Sequence, residues 1–331
     1  MRLALAEVEA TRRFRNPNVI RVIDACVMQD ADTDASRMLG NVPKHDEESV
    51  RGGKVVYIVF PYFRHGNVQD AINAHVVNGT RFGEAQMLRL FLGTCRAVRA
   101  MHQYRLPKVG ERRGESASEA PAAPTTEVDT APLLFDADEA GASEAAPSMH
   151  AAPYAQEGST PAAEPSAGDL IAYAHRDIKP GNIMIADDGA TPVLMDFGST
   201  IKAHVPINSR REAVAHQDLA AERSSMPYRA PELFDVKTDV VLDEKVDVWS
   251  LGCTLYAIAY LHSPFETPST VEQGGSLALA VTNGAYKFPA NDQYTDATRE
   301  IVRRCLVTDP IARADIDEVI RLAEKALDGV A

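Results

Sequence analysis

Apolar and polar positions divide the chain into stretches of different kinds. Residues 55–59, Val-Val-Tyr-Ile-Val, are β-branched or aromatic and run up to Pro61, a pattern that predicts a strand. From Glu84 to His102, the residues Leu88, Phe91, Cys95, Val98 and Met101 recur near one face, which predicts a helix packed on a larger body. Residues 253–261 are apolar on nearly every face and predict a helix inside that body. Between residues 104 and 168 the pattern is lost, and Ala, Glu, Pro, Ser and Thr dominate. Residues 29–53, with Asp, Ser and Gly-Gly, read as a surface loop between two strands.

The chain has 331 residues, 45% hydrophobic and 24% charged, enough for a large core and, by length alone, two to three domains. Of its formal charge of −13, the eleven carboxylates of residues 114–169 account for −11, and that stretch has no Lys or Arg. The acidity therefore belongs to an insert, not to the body. Low hydrophobicity and repeated Pro leave the insert too little burial to offset ordering entropy, so disorder is expected. Its apolar island, Pro132, Leu133, Leu134 and Phe135 before Asp136, reads either as a docking motif for a partner or as a plain exposed cluster. No basic footprint suggests nucleic acid.

Cys26, Cys95, Cys253 and Cys305 are far apart, without metal-ligand spacing, and are expected to be reduced core residues of a cytosolic protein. Glu7 and Glu9 end the N-terminal apolar run too early for a signal peptide, and no run is long enough to cross a bilayer.

The chemistry is concentrated in His175-Arg176-Asp177-Ile178-Lys179-Pro180-Gly181-Asn182 and, downstream, Asp196-Phe197-Gly198. The pattern H-R-D-x-x-x-x-N followed by D-F-G resembles the protein kinase signature at every defining position. The resemblance implies ATP and Mg2+ as cofactors and proteins as substrates. Phosphoryl transfer passes through a loose transition state, so the protein mainly positions groups and neutralises charge. Asp177 would accept the hydroxyl proton, Asn182 and Asp196 would hold Mg2+, and Lys179 would neutralise charge on the transferred group. Lys at that place also implies Ser/Thr substrates.

The remaining landmarks follow kinase order. Ala230-Pro231-Glu232 closes the activation segment, and Arg313, after Asp309-Pro310, is the implied partner of Glu232 in a buried pair. Asp247 would satisfy backbone donors of the catalytic loop, and Ser225 would lie beside Asp177. Residues 195–199 (Met-Asp-Phe-Gly-Ser), 225–232 (Ser-Met-Pro-Tyr-Arg-Ala-Pro-Glu) and 275–281 (Gly-Ser-Leu-Ala-Leu-Ala-Val), with the long activation segment, resemble the Numb-associated kinase family. Within it the chain is most similar to the lipid-anchored, Golgi-associated Ser/Thr branch. Members of that branch begin Met-Gly with a nearby Cys, which this chain does not, so it carries no membrane anchor as written. Membrane association stays open only if a lipidated start is missing.

The resemblance covers residues 1–103 and 170–327 and implies an α+β, bilobal kinase-like fold. Residues 1–63 would form a partial small lobe, 64–103 the start of a mostly helical large lobe, 104–169 the insert, and 170–327 the rest of the large lobe. Phe60 looks like the gatekeeper, and Pro61, Tyr62 and Phe63 look like the hinge that binds adenine through its backbone; the residues alone also fit a core strand stopped by Pro61. Glu7, ten residues before Pro17, matches the glutamate that contacts the nucleotide-binding lysine. No Gly-rich loop and no strand lysine precede it, and Lys44 and Lys54 come too late to replace that lysine. The first three strands of the small lobe are thus absent from the sequence. Truncation, a pseudokinase and completion by a second polypeptide each account for this; the intact Asp177, Lys179, Asn182 and Asp196 favour truncation. Thr11 is polar where kinases usually place an apolar link from this helix to Phe197 and His175.

The places that read upstream arginine in basophilic kinases hold Asn67, Gly181 and Ala257, so no strong demand for such substrates is expected. Arg176 would bind a phosphate on the activation segment, with Ser199, Thr200, Ser209 and Ser224 as candidate sites.

Overall fold

The computed structural model describes residues 2–29, 54–107, 166, 168–266 and 276–330. The candidate docking island at 132–135, most of the insert and most of the 29–53 loop lie outside them. The chain divides into two compact units, residues 1–105 with 170–331, and residues 106–169.

In the first unit, helix α1 (Arg2–Arg13) buries Val8 and Thr11, with Phe14 just beyond its end. Pro17, with its fixed φ, follows the end of the helix. Strands β1 (Asp24–Gln29) and β2 (Lys54–Val59) pair antiparallel from Asp24↔Val59 to Gln29↔Lys54. Gln29, expected to open a loop, is thus the last paired residue of β1. Cys26 stands opposite Tyr57 and is exposed, which corrects the expectation of a core cysteine. The period-two alternation of a strand puts Cys26, Met28, Val55, Tyr57 and Val59 on one face, and Met28, Val55, Tyr57 and Val59 are exposed as well.

Helix α2 (Val68–Asn78) starts at a capping box of Asn67 and Asp70 and stops at Gly79, whose φ of 63° suits a residue without Cβ. Helix α3 (Glu84–His102) has the bounds its spacing predicts. Short strands follow: β3 (Tyr173–Ala174), β4 (Ile183–Ile185), β5 (Pro192–Leu194), β6 (Ile201–Lys202) and β7 (Val205–Ile207). Helix α4 (Arg210–Arg223) comes next, then β8 (Val240–Leu242), which pairs with β7.

Helix α5 (Lys245–Tyr260) is buried from Val246 to Tyr260. Its Trp249 lies parallel to Phe265 at 5.6 Å, with the Arg313 guanidinium 5.2 Å from its ring centre. Helices α6 (Leu277–Thr282), α7 (Asp296–Cys305) and α8 (Ile316–Asp328) complete this part. Close approach requires glycine at Gly252, where a Cβ would stand 2.5 Å from that of Cys305, and at Gly93, where it would stand 2.5 Å from Pro192. Cys95, Cys253 and Cys305 are buried, and burial raises their thiol pKa values, that of Cys305 to about 12. No helix among the described residues is long and apolar enough to cross a membrane.

The chain leaves and re-enters this unit at one place: Ile171 N–H donates to the Tyr104 carbonyl (2.8 Å), and Arg105 bridges Leu170. In the second unit, Leu106 N–H donates to Asp169 (3.0 Å) and Gly168 N–H to Leu106 (2.9 Å).

Candidate active site

The pairing of β3 with β6 delivers the chain to His175. Arg176 then adopts φ 69°, a left-handed conformation that is unfavourable for a residue with a side chain. Asp247, at the start of α5, holds this turn. Its Oδ2 accepts from His175 N–H (2.7 Å) and His102 Nε2 (3.0 Å), and its Oδ1 accepts from Arg176 N–H (2.8 Å). Burial alone would raise the Asp247 carboxyl, but these donors and the nearby imidazoles hold it below the usual carboxylate range.

His175 is oriented at both nitrogens. Asp177 N–H donates to Nδ1 (3.3 Å), which leaves Nε2 as the donor to the Met195 carbonyl (3.1 Å). The ring thereby joins the catalytic loop to the residue before Asp196.

Asp177 is buried at the centre of three groups. Lys179 Nζ (2.7 Å) and Asn182 Nδ2 (3.1 Å) donate to its Oδ2, and Ser225 N–H donates to its Oδ1 (2.8 Å). Lys179 Nζ also donates to Ser225 Oγ (2.7 Å), and Asn182 Nδ2 to the Asp177 carbonyl (2.8 Å). The amide nitrogen of Asn182 is thus engaged while its oxygen stays an acceptor. Asp196 follows with φ 64°, its Oδ1 accepting from Gly198 N–H (3.4 Å).

Glu7, on α1, reaches the same region: a Cβ on Gly198 would stand 3.4 Å from Asp196 Oδ1 and 4.0 Å from Glu7 Oε2. Burial, and then the Asp196 carboxylate, raise the Glu7 carboxyl. An amide oxygen and neighbouring carboxylates are hard donors that suit Mg2+. No cluster of three or more His, Cys, Asp or Glu placed for a metal occurs among the described residues.

Aromatic packing sets α1. Phe197 is buried, stacks on Phe14 at 5.9 Å and meets His175 edge-on at 5.2 Å. Phe14 also packs edge-on against Tyr104 (5.6 Å) and Tyr173 (5.4 Å). Arg13 bonds the Tyr173 hydroxyl, sits 4.8 Å from that ring's centre and pairs with Glu9 at 2.5 Å. Thr11 turns its hydroxyl back to the Glu7 carbonyl (2.7 Å). The link from α1 to Phe197 therefore runs through Phe14.

Phe60, Pro61, Tyr62 and Phe63 connect β2 to α2. Phe60 and Phe63 pack on the core, whereas Tyr62 is 85% exposed. Gly66 N–H bonds the Phe63 carbonyl (3.2 Å) and the Gly66 carbonyl receives Ile185 N–H (3.0 Å), fixing this connection to β4.

The activation segment is tied down at several points. Ser199 Oγ donates to the Arg223 carbonyl (2.6 Å), Ser209 caps α4 with Glu212, and Ser224 Oγ donates to the Ala220 carbonyl (2.6 Å). Arg229 donates to Ser224 Oγ (3.1 Å) and to the Ser224 carbonyl (2.7 Å), with its guanidinium 4.9 Å from the centre of the Phe234 ring. Arg176 is buried and its Nη1 has no hydrogen-bond partner among the described residues. Burial lowers its pKa to about 10 against the pull of Asp247 and Glu232. Burial, then the Arg176 charge, lower the pKa of His216 on α4. Glu232 and Arg313 form a bidentate pair at 2.7 and 2.9 Å.

The sequence reading missed α4, Phe14, His102 and Arg229. Only α4 had a local signal, the Ser209-x-x-Glu212 capping box before an Ala- and Arg-rich run.

The profile of the protein kinase domain matches residues 172–323. The chain is 33% identical over 326 residues to serine/threonine-protein kinase ENV7 of Saccharomyces cerevisiae, covering 97% of this chain and 76% of that one. It is 35% identical over 269 residues to serine/threonine-protein kinase ppk13 of Schizosaccharomyces pombe, covering 81% and 67%. To human serine/threonine-protein kinase 16 it is 28% identical over 314 residues, covering 95% and 73%.

Proposed function

Because the chain belongs to the protein kinase family, as a serine/threonine-protein kinase, we propose that, in a form supplied with a Gly-rich loop and the strand lysine that Glu7 would contact, it transfers the γ-phosphoryl group of ATP to Ser/Thr hydroxyls of proteins. The convergence of Lys179, Asn182 and Ser225 on Asp177 carries this reading. It leaves a carboxylate with fixed orientation to take the substrate hydroxyl's proton. Lys179, bridging Asp177 and Ser225, offsets charge on the transferred group. Asp196 and the oxygen of Asn182 would hold Mg2+, which when bound neutralises phosphate charge. Backbone groups of residues 60–63 would receive adenine. Asn67 caps α2 and Ala257 is buried, which supports weak selection for upstream arginine.

We also assign the chain to the Numb-associated family and its Golgi-associated branch, on residues 195–199 and 225–232 and the long, helical activation segment. Cytosolic placement, with membrane attachment only through a lipidated N-terminus, is part of that assignment.

A second reading, a protein-binding scaffold, draws on Glu7, whose carboxyl lies near Asp196 and is raised by burial and then by that carboxylate. Labelled ATP, Mg2+ and matched Ser, Thr and Tyr peptides decide between them. Phosphate entering Ser and Thr peptides above the Asp177→Asn background supports the enzyme. Incorporation equal to that background in a folded form supplied with the Gly-rich loop and strand lysine overturns it in favour of the scaffold.

A further inference from the structure

Apart from Glu232, whose carboxylate is held by Arg313, none of the residues given a role above lines the groove that runs beside β8, with a volume of about 500 Å3. Pro231, Val241, Leu242 and Pro310 give it an apolar lining, and Asp235, Asp243 and Asp309 an acidic one. Lys237 pairs with Asp235. Asp243 and Asp309 accept from the backbone N–H groups of Lys245 (3.0 Å) and Ile311 (2.9 Å). Among the described residues, neither has a lysine or arginine at ion-pair distance. Asp309, which is exposed, thus brings negative charge to the groove without a matching cation, while burial raises the Asp243 carboxyl and Lys245 acts on it from beyond ion-pair distance.

The strand itself supplies a second observation. Val241 faces Pro206 in the β7–β8 ladder, and Pro206 has no N–H to donate. Their pair is therefore of the non-hydrogen-bonded kind, and the N–H and C=O of Val241 point to the opposite edge of β8. Val241 lines the groove and is 56% exposed. An open strand edge, an apolar lining and the unpaired Asp309 carboxylate thus share one place.

We propose that this groove docks an extended peptide of a protein partner, an apolar residue flanked by arginine or lysine, laid along β8 as an added strand. Main-chain bonds to Val241 set its register. The apolar side chain fills the space between Pro231, Leu242 and Pro310. The flanking cations meet Asp243 and Asp309, while acidic peptides are repelled. Docking is independent of phosphoryl transfer, so its test needs no activity.

The probe is a short fluorescein-labelled peptide of alternating arginine and valine, titrated against the full chain by anisotropy. Saturable binding is expected, weakened at least ~10-fold by Asp309→Lys and by Val241→Lys, both exposed positions. A matched peptide with glutamate for arginine should bind at least ~10-fold more weakly, and N-methylation of the central valine should do the same by removing a main-chain donor. Asp328→Lys, the same charge change on α8, should leave binding unchanged. No saturable binding, or an equal loss with Asp328→Lys, overturns the proposal. Full binding to the Asp309→Lys and Val241→Lys chains also does, since the acidic 114–169 stretch would then be the receptor. An unaffected N-methylated peptide overturns strand addition.

Discussion

The two sides of the candidate site are held by different means. Around Asp177 and Asp247, polar groups converge: each carboxylate receives three donors, and all of them come from the larger helical part. Around Glu7 the restraint is packing, through Phe14 against Phe197, while Met28, Tyr57 and Val59 of the adjoining sheet stay about half exposed. Hydrogen bonds fix direction and packing fixes distance. The base and the loop that carries it are thus preorganised by the large part, whereas the helix bearing Glu7 is seated against it by aromatic packing and by one side-chain bond at its end, from Arg13 to the Tyr173 hydroxyl.

Substitutions can break this contrast. In a form supplied with the Gly-rich loop and strand lysine, Asp177→Asn keeps an acceptor for Ser225 but removes the base, and should lower turnover ~10²–10⁴-fold with ATP affinity little changed. Steady-state kinetics and nucleotide titration check it; Asp196→Asn should weaken Mg·ATP binding as well. Next, Glu232→Ala strands the buried Arg313 guanidinium and should cost about 3–5 kcal/mol of stability in urea unfolding. On the packed side, Tyr62→Ala should change stability by less than about 0.5 kcal/mol, as for an exposed side chain without partners to lose. A loss as large as that of Glu232→Ala would erase the contrast.

The pH dependence sharpens it further. The Asp247 carboxyl is depressed in the folded chain, so as pH falls the unfolded chain binds that proton first. Its contribution is complete above the unfolded pKa of about 3.9 and fades as pH drops toward the folded value. Urea unfolding at stepped pH should show this fall, and Asp247→Asn should remove that component. The smallest effect belongs to the insert. Tyr104 and Ile171 bond directly, and closing entropy grows only as the logarithm of loop length, about 0.6 kcal/mol per doubling. Replacing residues 114–165 by a short Gly/Ser linker should leave the melting temperature nearly unchanged; a large drop would show that the segment packs on the rest.

The catalytic residues were legible because the chemistry requires fixed polar types close together in sequence, as in residues 175–182. Helix α3 was legible because one apolar face recurs over its whole length. The groups that hold these residues were not, since they arrive from far away: His102 meets Asp247 across 145 positions, and Phe14 meets Phe197 without any local pattern. Cys26 shows a different limit. Its apolar neighbours suggest burial, but which face of a strand is covered depends on what packs there, and that is decided outside the strand. Helix α4 was missed: its capping box was the one local signal, and the segment gave no apolar stripe to go with it, since only Ala213 and Ala220 of the helix are buried.

The dependence of the catalytic loop on Asp247 also imposes an order in time. Arg176 is held in its left-handed conformation by a carboxylate 71 positions further along. A chain emerging from the ribosome therefore presents the His175–Asn182 segment well before the group that shapes it. Domains are completed as units during synthesis, and here the base cannot take its final orientation until the buried helix has emerged and docked. A nascent chain that ends between residues 197 and 246 carries every catalytic side chain and has no assembled site.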